Sequence, residues 1–195
     1  MVPVQEFDMA RNPPITFHHA TAERWKDLEQ VFGKQGAYWG CWCMYWRVKR
    51  SEFDAMGATR RRDRLKKLTR RKRAPGILFY EGDVPVAWCA IGPREDFPVL
   101  ARSYVTRPVD DTPVWSMVCF YVRPEYQGRG LFRHMVKLAA DYARLQGATH
   151  VEAYPREKRY EGVEAYMGVA DVFHKLGFRE IARRKADRPV VRLEL

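Results

Sequence analysis

The chain has 195 residues, 46% of them hydrophobic, and a formal net charge of +11. This fits one globular domain with a real core, and no apolar run reaches the roughly 18 residues of a membrane span. The opening stretch, Met1 to Asn12, carries Glu6, Asp8 and Arg11 and has no apolar centre, which excludes a signal peptide.

Residues 1–14 read as an irregular lead closed by Pro13-Pro14, and residues 15–195 as a single domain. Ile15 to His18 is short, β-branched or aromatic, and reads as an edge strand. Thr21 is placed to cap a helix whose face carries Trp25, Leu28 and Val31 or Phe32, ended by Gly33 and Gly36. Tyr38 to Trp46 runs Tyr-Trp-Gly-Cys-Trp-Cys-Met-Tyr-Trp. Tyr38, Trp42 and Tyr45 share helical spacing, as do Trp39, Trp42 and Trp46. The segment reads as an aromatic plug between helices, or as a pocket wall on whose indoles, Trp39 and Trp42, a cation would sit.

Glu52 to Arg73 predicts a helix with Phe53, Met56, Leu65 and Leu68 as a thin apolar stripe and Gly57 as its weak point. Arg60 to Arg73 holds ten Arg or Lys and one Asp, a local +9, which leaves the rest of the chain near +2. The run reads as a solvated face, as an attractor of an acidic ligand, or as a surface tracking a nucleic-acid backbone. It contains few aromatics on which single strands would stack. After Pro75-Gly76, Ile77 to Tyr80 and Val84 to Ile91 predict two strands joined by a Glu81-Gly82-Asp83 turn. A proline-rich loop follows, with short pieces at Val99-Leu100 and Tyr104-Val105. Val114 to Val122 is then a strand apolar on both faces, the centre of a sheet.

The chain turns next through Arg123-Pro124-Glu125-Tyr126-Gln127-Gly128-Arg129-Gly130 into an amphipathic helix, Leu131 to Gln146. Leu131, Met135, Leu138, Tyr142 and Leu145 form its apolar face, and Gly147 its C-cap. Glycines let the backbone turn tightly, and the first N–H groups of a helix lack internal partners. Such an end attracts phosphate, and Arg129, Arg123 and Arg133 add charge. His150 to Tyr154 predicts a strand, Pro155 to Gly162 a polar loop and Val163 to Leu176 a helix. Phe178 to Ala182 and Pro189 to Leu195 predict two final strands, the sheet edge near Leu195 allowing a monomer or a homodimer.

Cys41, Cys43, Cys89 and Cys119 match neither a zinc spacing nor a disulfide scaffold. They read as buried, reduced thiols in a cytoplasmic protein, and no metal is implied.

The glycine turn lacks the Gly-Lys-Ser/Thr of a P-loop and the third glycine of a dinucleotide fingerprint. Gln127, Gly128, Arg129, Gly130 and Leu131, placed just after Val122-Arg123-Pro124, match Arg/Gln-x-x-Gly-x-Gly/Ala. In this the chain resembles the GNAT acetyltransferase superfamily, with Lys175 to Phe178 supporting the likeness. Phe132 departs from the pattern, standing where Gly or Ala is usual. The resemblance implies an α/β fold: a mixed, mostly antiparallel sheet of six to seven strands, a parallel central pair splayed at the cofactor, and helices on both faces.

It also implies an acetyl-CoA-dependent N-acetyltransferase acting on a small-molecule or protein amine. Coenzyme A is then held by Gln127, Gly128, Arg129, Gly130, Leu131, Phe132 and Arg133, and along the strand by Phe120, Tyr121 and Val122. A backbone N–H near Cys119 or Phe120 would stabilise the carbonyl as it gains charge. The family's frequent acid, a Tyr, aligns with Phe173, which donates nothing and remains a cofactor neighbour. Tyr166 and His174 are the substitute acids. Glu152 is the first choice of base, with Tyr154, Asp110 and Asp111 behind it; Tyr154 also stands as a substrate contact with Trp39 and Trp42. Cys119 offers a covalent acetyl-cysteine route. The alternative function is a nucleic-acid-associated protein that binds coenzyme A with little or no transferase activity.

Overall fold

The computed structural model describes residues 14–158 and 166–195. Seven strands form one sheet: β1 (Ile15–His19), β2 (Ile77–Glu81), β3 (Val84–Pro93), β4 (Trp115–Val122), β5 (His150–Ala153), β6 (Arg179–Lys185) and β7 (Arg188–Glu194). Their order is β1-β2-β3-β4-β5-β7-β6, and β4 with β5 is the parallel pair; the other neighbours are antiparallel. The last strand therefore lies inside the sheet. The edge beside it is β6, not the segment ending at Leu195, because the β6–β7 hairpin folds outward. β6 carries Arg179, Arg183, Arg184 and Lys185, charges of the kind that discourage edge-to-edge pairing.

Helices cover both faces. On one lie α1 (Trp25–Phe32), α2 (Arg50–Ala55), α3 (Ala58–Leu68) and α4 (Pro98–Arg102). Their core holds Trp25, Leu28, Phe32, Leu65, Leu78 and Trp88. On the other lie α5 (Leu131–Leu145) and α6 (Ala170–Lys175), over Ile77, Phe79, Met135, Tyr142 and Val191. The buried stripe of α5 is Leu131, Met135, Val136, Ala139, Ala140, Tyr142 and Ala143, while Leu145 is 74% exposed. The expected Leu-led face thus rotates toward three alanines, whose small side chains let the helix lie close on the sheet.

Three further expectations change. The predicted 52–73 helix is two helices, because Met56 and Gly57 are both extended at their junction. Met56 is buried there, and α3 ends where Thr69 Oγ1 turns back to the Lys66 carbonyl. The aromatic segment is not an α-helix. It makes one tight turn over Tyr38–Gly40, and Ala37, Trp39, Trp42 and Cys43 all have positive φ. Of the predicted 163–176 helix, residues 163–165 lie outside the described residues, Gly168 has φ of +78°, and regular helix starts at Ala170. The irregular lead lies, apart from Pro14, outside the described residues, as does part of the polar loop. Among the described residues no helix is long and apolar enough to cross a membrane.

Candidate active site

The strand, turn and helix expected around Gly128 are present. β4 ends at Val122, Pro124–Tyr126 makes one tight turn, and α5 starts at Leu131. Pro124 suits the turn because its ring presets φ. Gly128 and Gly130 sit at φ of +77° and +75°, which costs a residue with a Cβ about 1–2 kcal/mol. A Cβ at Gly128 would touch nothing, so conformation and not space demands glycine there. No side chain caps α5, and its first turn has no acidic residue. Gln127 Nε2 donates to the Val122 carbonyl at 2.9 Å and ties the loop to the strand end. Arg129 is exposed; it donates to the Glu125 carbonyl and lies 4.7 Å over the Tyr126 ring. Arg133 is exposed one turn on. A bare helix start flanked by two arginines fits a diphosphate.

Next to this cradle the sheet opens. β4 and β5 pair only at Trp115↔Val151, Ser116↔Glu152 and Met117↔Ala153. Beyond them, among the described residues, the edge of β4 from Val118 to Val122 has no strand beside it, and Pro155 cannot donate to one. A bulge adds to the opening. Ala90 faces Cys119 and Ile91 faces Met117, so Val118 is an extra residue on β4. Bulges bend a strand and raise its twist. Phe120, Tyr121 and Val122, the expected cofactor strand, thus lie on an open edge that ends at the cradle.

The α5/α6 side of this opening is aromatic. Phe132 lies 4.8 Å from Phe120 and 5.7 Å from Phe173, and Phe173 lies 5.2 Å from Phe178, all edge to face. Phe173 is fully buried, so no proton donor stands at its position. His174 is exposed and bonds the Phe178 carbonyl through Nδ1 at 3.1 Å; it is turned away from Phe173's buried side.

The other side of the opening holds phenols and thiols. The Cys43 thiol donates to Cys119 Sγ at 3.5 Å, and Trp88 Nε1 donates to Cys43 Sγ at 3.0 Å. Its bond with Cys43, followed by burial, pushes the Cys119 thiol well above its usual range. Tyr38 packs 5.3 Å from Tyr121, and burial pushes its phenol up to about 12. Tyr166 is half-buried; burial, then the neighbouring Cys119, raises its phenol too, against the pull of Arg188. Tyr166 and Cys119 are thus electrostatic neighbours at the β4 bulge.

The 37–43 loop forms this wall, and its four positive-φ side chains each store roughly 1–3 kcal/mol of strain. Arg61 holds it by donating to the Gly40 carbonyl at 3.1 Å, and Gly40 sits against Ala58 of α3. Trp42 is buried, stacked on Trp25 and edge-on to Phe32, whereas Trp39 is 82% exposed. The helical spacing of its aromatics does not reveal this loop, because Trp39, Trp42 and Cys43 occupy left-handed positions that glycine ordinarily marks.

Glu152 stands at the closed end. Its Oε2 accepts from Arg94 Nη1 at 2.5 Å and from the Tyr154 hydroxyl at 3.0 Å, and its Oε1 from Arg192 at 2.7 and 3.1 Å. Its side chain is 1% exposed. Tyr154, fully buried, also shares a 2.9 Å bond with Ser116 Oγ. Burial, and then the carboxylate beside it, drives its phenol far above the ordinary range. Asp110 grips Arg192 with both oxygens at 2.9 Å, which holds its carboxyl well below the usual range. Sequence reasoning missed Arg94 and Arg192, which lie on other elements and carry no local signal.

The basic run is partly consumed by the fold. Arg61 lies 4.0 Å over Phe53, Arg62 pairs with Glu29, and Arg64 pairs with Glu52 at 2.5 Å. Lys66 lies over Trp25 and Arg73 reaches Asp96 at 3.5 Å. Arg60, Lys67, Arg70, Arg71 and Lys72 are exposed.

Among solved structures, the chain is similar to PaiA N-acetyltransferase from Thermoplasma acidophilum in complex with coenzyme A: 10% identity, TM-score 0.52, over 93% of this chain and 99% of that one. It is also similar to an acetyltransferase from Thermus thermophilus, at 17% identity and TM-score 0.51, over 93% and 97% of the two chains. A third similar structure is a polyamine N-acetyltransferase from Drosophila melanogaster that forms N-acetylagmatine, at 13% identity and TM-score 0.53, over 93% and 100%. These likenesses are of fold. No curated protein matches the sequence. The acetyltransferase (GNAT) family model matches residues 37–178, a span that includes the cradle, the open edge and the strained loop. The chain belongs to the GNAT acetyltransferase family, whose members use acetyl-coenzyme A.

Proposed function

We propose that this acetyltransferase passes an acetyl group directly to the amine of a small molecule or a protein. The observation that carries this reading is the open edge of β4, Val118 to Val122, running into the uncapped start of α5. When bound, acetyl-coenzyme A supplies the activated thioester. The N–H groups from Gln127 to Arg133 would hold its diphosphate, with Arg129 and Arg133 adding positive charge. Main-chain groups of Phe120, Tyr121 and Val122 bind its arm as a sheet edge binds an extended peptide. Phe132, with Leu131 and Phe173 buried behind it, gives the apolar side of that groove.

The N–H of Cys119 or Phe120 would be the donor for negative charge on a bound acetyl oxygen. Tyr166, a phenol beside Cys119 at the β4 bulge, is the acid in this reading: it carries its proton at neutral pH and would give it to the departing thiolate. Glu152 already receives four bonds from its neighbours. In this reading it fixes Tyr154 and the β4–β5 pair, and the amine proton leaves through solvent. His174 takes no part. Trp39 offers an exposed indole to a cationic acceptor, while Trp42 supports the loop from the core. The thiols stay reduced, in keeping with a cytoplasmic site of action, and Cys119 forms no acyl intermediate because its bond with Cys43, and then burial, disfavour its thiolate.

The test is thioester consumption with acetyl-coenzyme A across a panel of amines, including agmatine and peptides with free N-termini. Gly128→Asp and Gly130→Asp serve as controls. Turnover that depends on an amine and is lost in both variants supports the reading; unchanged cofactor affinity in both overturns it.

A further inference from the structure

Phe132 is the second residue of α5, and Gly168 lies two residues before α6. A Cβ built on Gly168 would fall 2.1 Å from Phe132 Cζ and 2.7 Å from Cε1. Both sides of this contact are held by neighbours. The ring is held edge-on by Phe120 and Phe173, at 4.8 and 5.7 Å. The strip bearing Gly168 is tied to the continuation of β5. Arg156 N donates to the Gly168 carbonyl at 2.9 Å, Ala170 N donates to the Arg156 carbonyl at 2.8 Å, and Arg156 bridges Val169. The ring therefore stands between the N-terminus of α5 and the strip leading into α6.

We propose that Phe132 and Gly168 form a size-matched wedge that sets the gap between the start of α5 and this strip, and thereby holds the diphosphate cradle at its working width. The inference rests on the coenzyme A reading above and adds Gly168 to it as a positioning residue. The physical link is short. The N–H of Phe132 belongs to the bare first turn of α5, so a push on the ring moves a backbone donor of the cradle. A side chain at 168 must push the ring or break the Arg156 bonds. Removing the ring leaves the strip unsupported on that side.

A double-mutant cycle tests this. Gly168→Ala, Phe132→Ala and the double variant are compared by titration calorimetry with coenzyme A and by thermal unfolding. The strain of an alanine at positive φ is present in both backgrounds and cancels in the cycle, leaving the collision with the ring. Each single variant is expected to bind coenzyme A at least about fivefold more weakly, with the double variant no weaker than either, a coupling in the range seen for touching residues. Losses that simply multiply overturn the proposal. Coupling in unfolding without coupling in coenzyme A affinity overturns the cradle role. If Gly168→Ala does not fold, Phe132→Leu carries the test, and unchanged affinity there overturns it. A wild-type protein that melts cooperatively yet binds no coenzyme A overturns the cofactor reading, which separates that failure from a failure of the wedge.

Discussion

The two halves of β4 sit side by side and do opposite work. From Trp115 to Met117 the strand is paired on both edges, and a buried ionic network of Arg94, Glu152, Arg192 and Tyr154 lies over its junction with β5. From Val118 to Val122 one edge is open, a bulge bends the strand, and the flanking groups are rings and thiols. The closed half spends its charges on itself. The open half keeps main-chain donors and acceptors for something else. The lesson is that a carboxylate held by two guanidinium groups has both oxygens engaged within the fold before any substrate arrives.

The sharpest way to break this comparison is at Glu152. Glu152→Ala strands two partly buried arginines and is expected to cost about 3–5 kcal/mol of stability in urea unfolding. Coenzyme A affinity of the folded fraction should be unchanged. A variant of normal stability that has lost only kcat would mean that Glu152 is the base after all, and the closed half would join the chemistry. On the open half, Tyr166→Phe should lower kcat by about a hundredfold or more, the usual weight of a general acid, and leave the KM for acetyl-coenzyme A alone. Steady-state kinetics with the best amine of the panel decides this.

Gly130→Asp should weaken coenzyme A by roughly ten- to a hundredfold in calorimetry. The left-handed backbone costs about 1–2 kcal/mol, and a carboxylate at the helix start opposes a bound anion. Alkaline titration is a gentler probe of the thiol and phenol wall. Burial pushes Cys41 up to about 11 and Tyr38 up to about 12. Both stay protonated in the fold where the unfolded chain has begun to lose protons. Their contribution is complete below the unfolded values and fades as pH rises through the folded ones. The unfolding midpoint should therefore fall between about pH 9 and 12, and alkylation of Cys41 should rise over the same range. The smallest effect is expected far from both halves. Arg70→Gln with Arg71→Gln should change stability by no more than about 0.5 kcal/mol, since both side chains are exposed beyond the end of α3.

Local chemistry made much of this legible in advance. Two glycines after Val122-Arg123-Pro124 marked the turn, Gly177 marked the end of α6, and the apolar run to Val122 marked the sheet centre, because each depends on neighbours within a few residues. The length of α3 and the face of α5 were harder. The first was cut by an extended Met56–Gly57 junction whose cause is burial, and the second turned toward alanines that carry little hydrophobic weight in a pattern.

The sequence by itself determined that a strand, a bare helix start and a family pattern lie together around Gly128, since propensity, glycine conformation and helix-end polarity act locally. Only the tertiary structure decided what surrounds them. Arg94, Glu152 and Arg192 converge from three separate parts of the chain, Cys43 meets Cys119 across 76 positions, and Phe132 meets Gly168. Such contacts depend on how the sheet twists, bulges and splays, and that geometry is settled by packing among residues far apart in the chain.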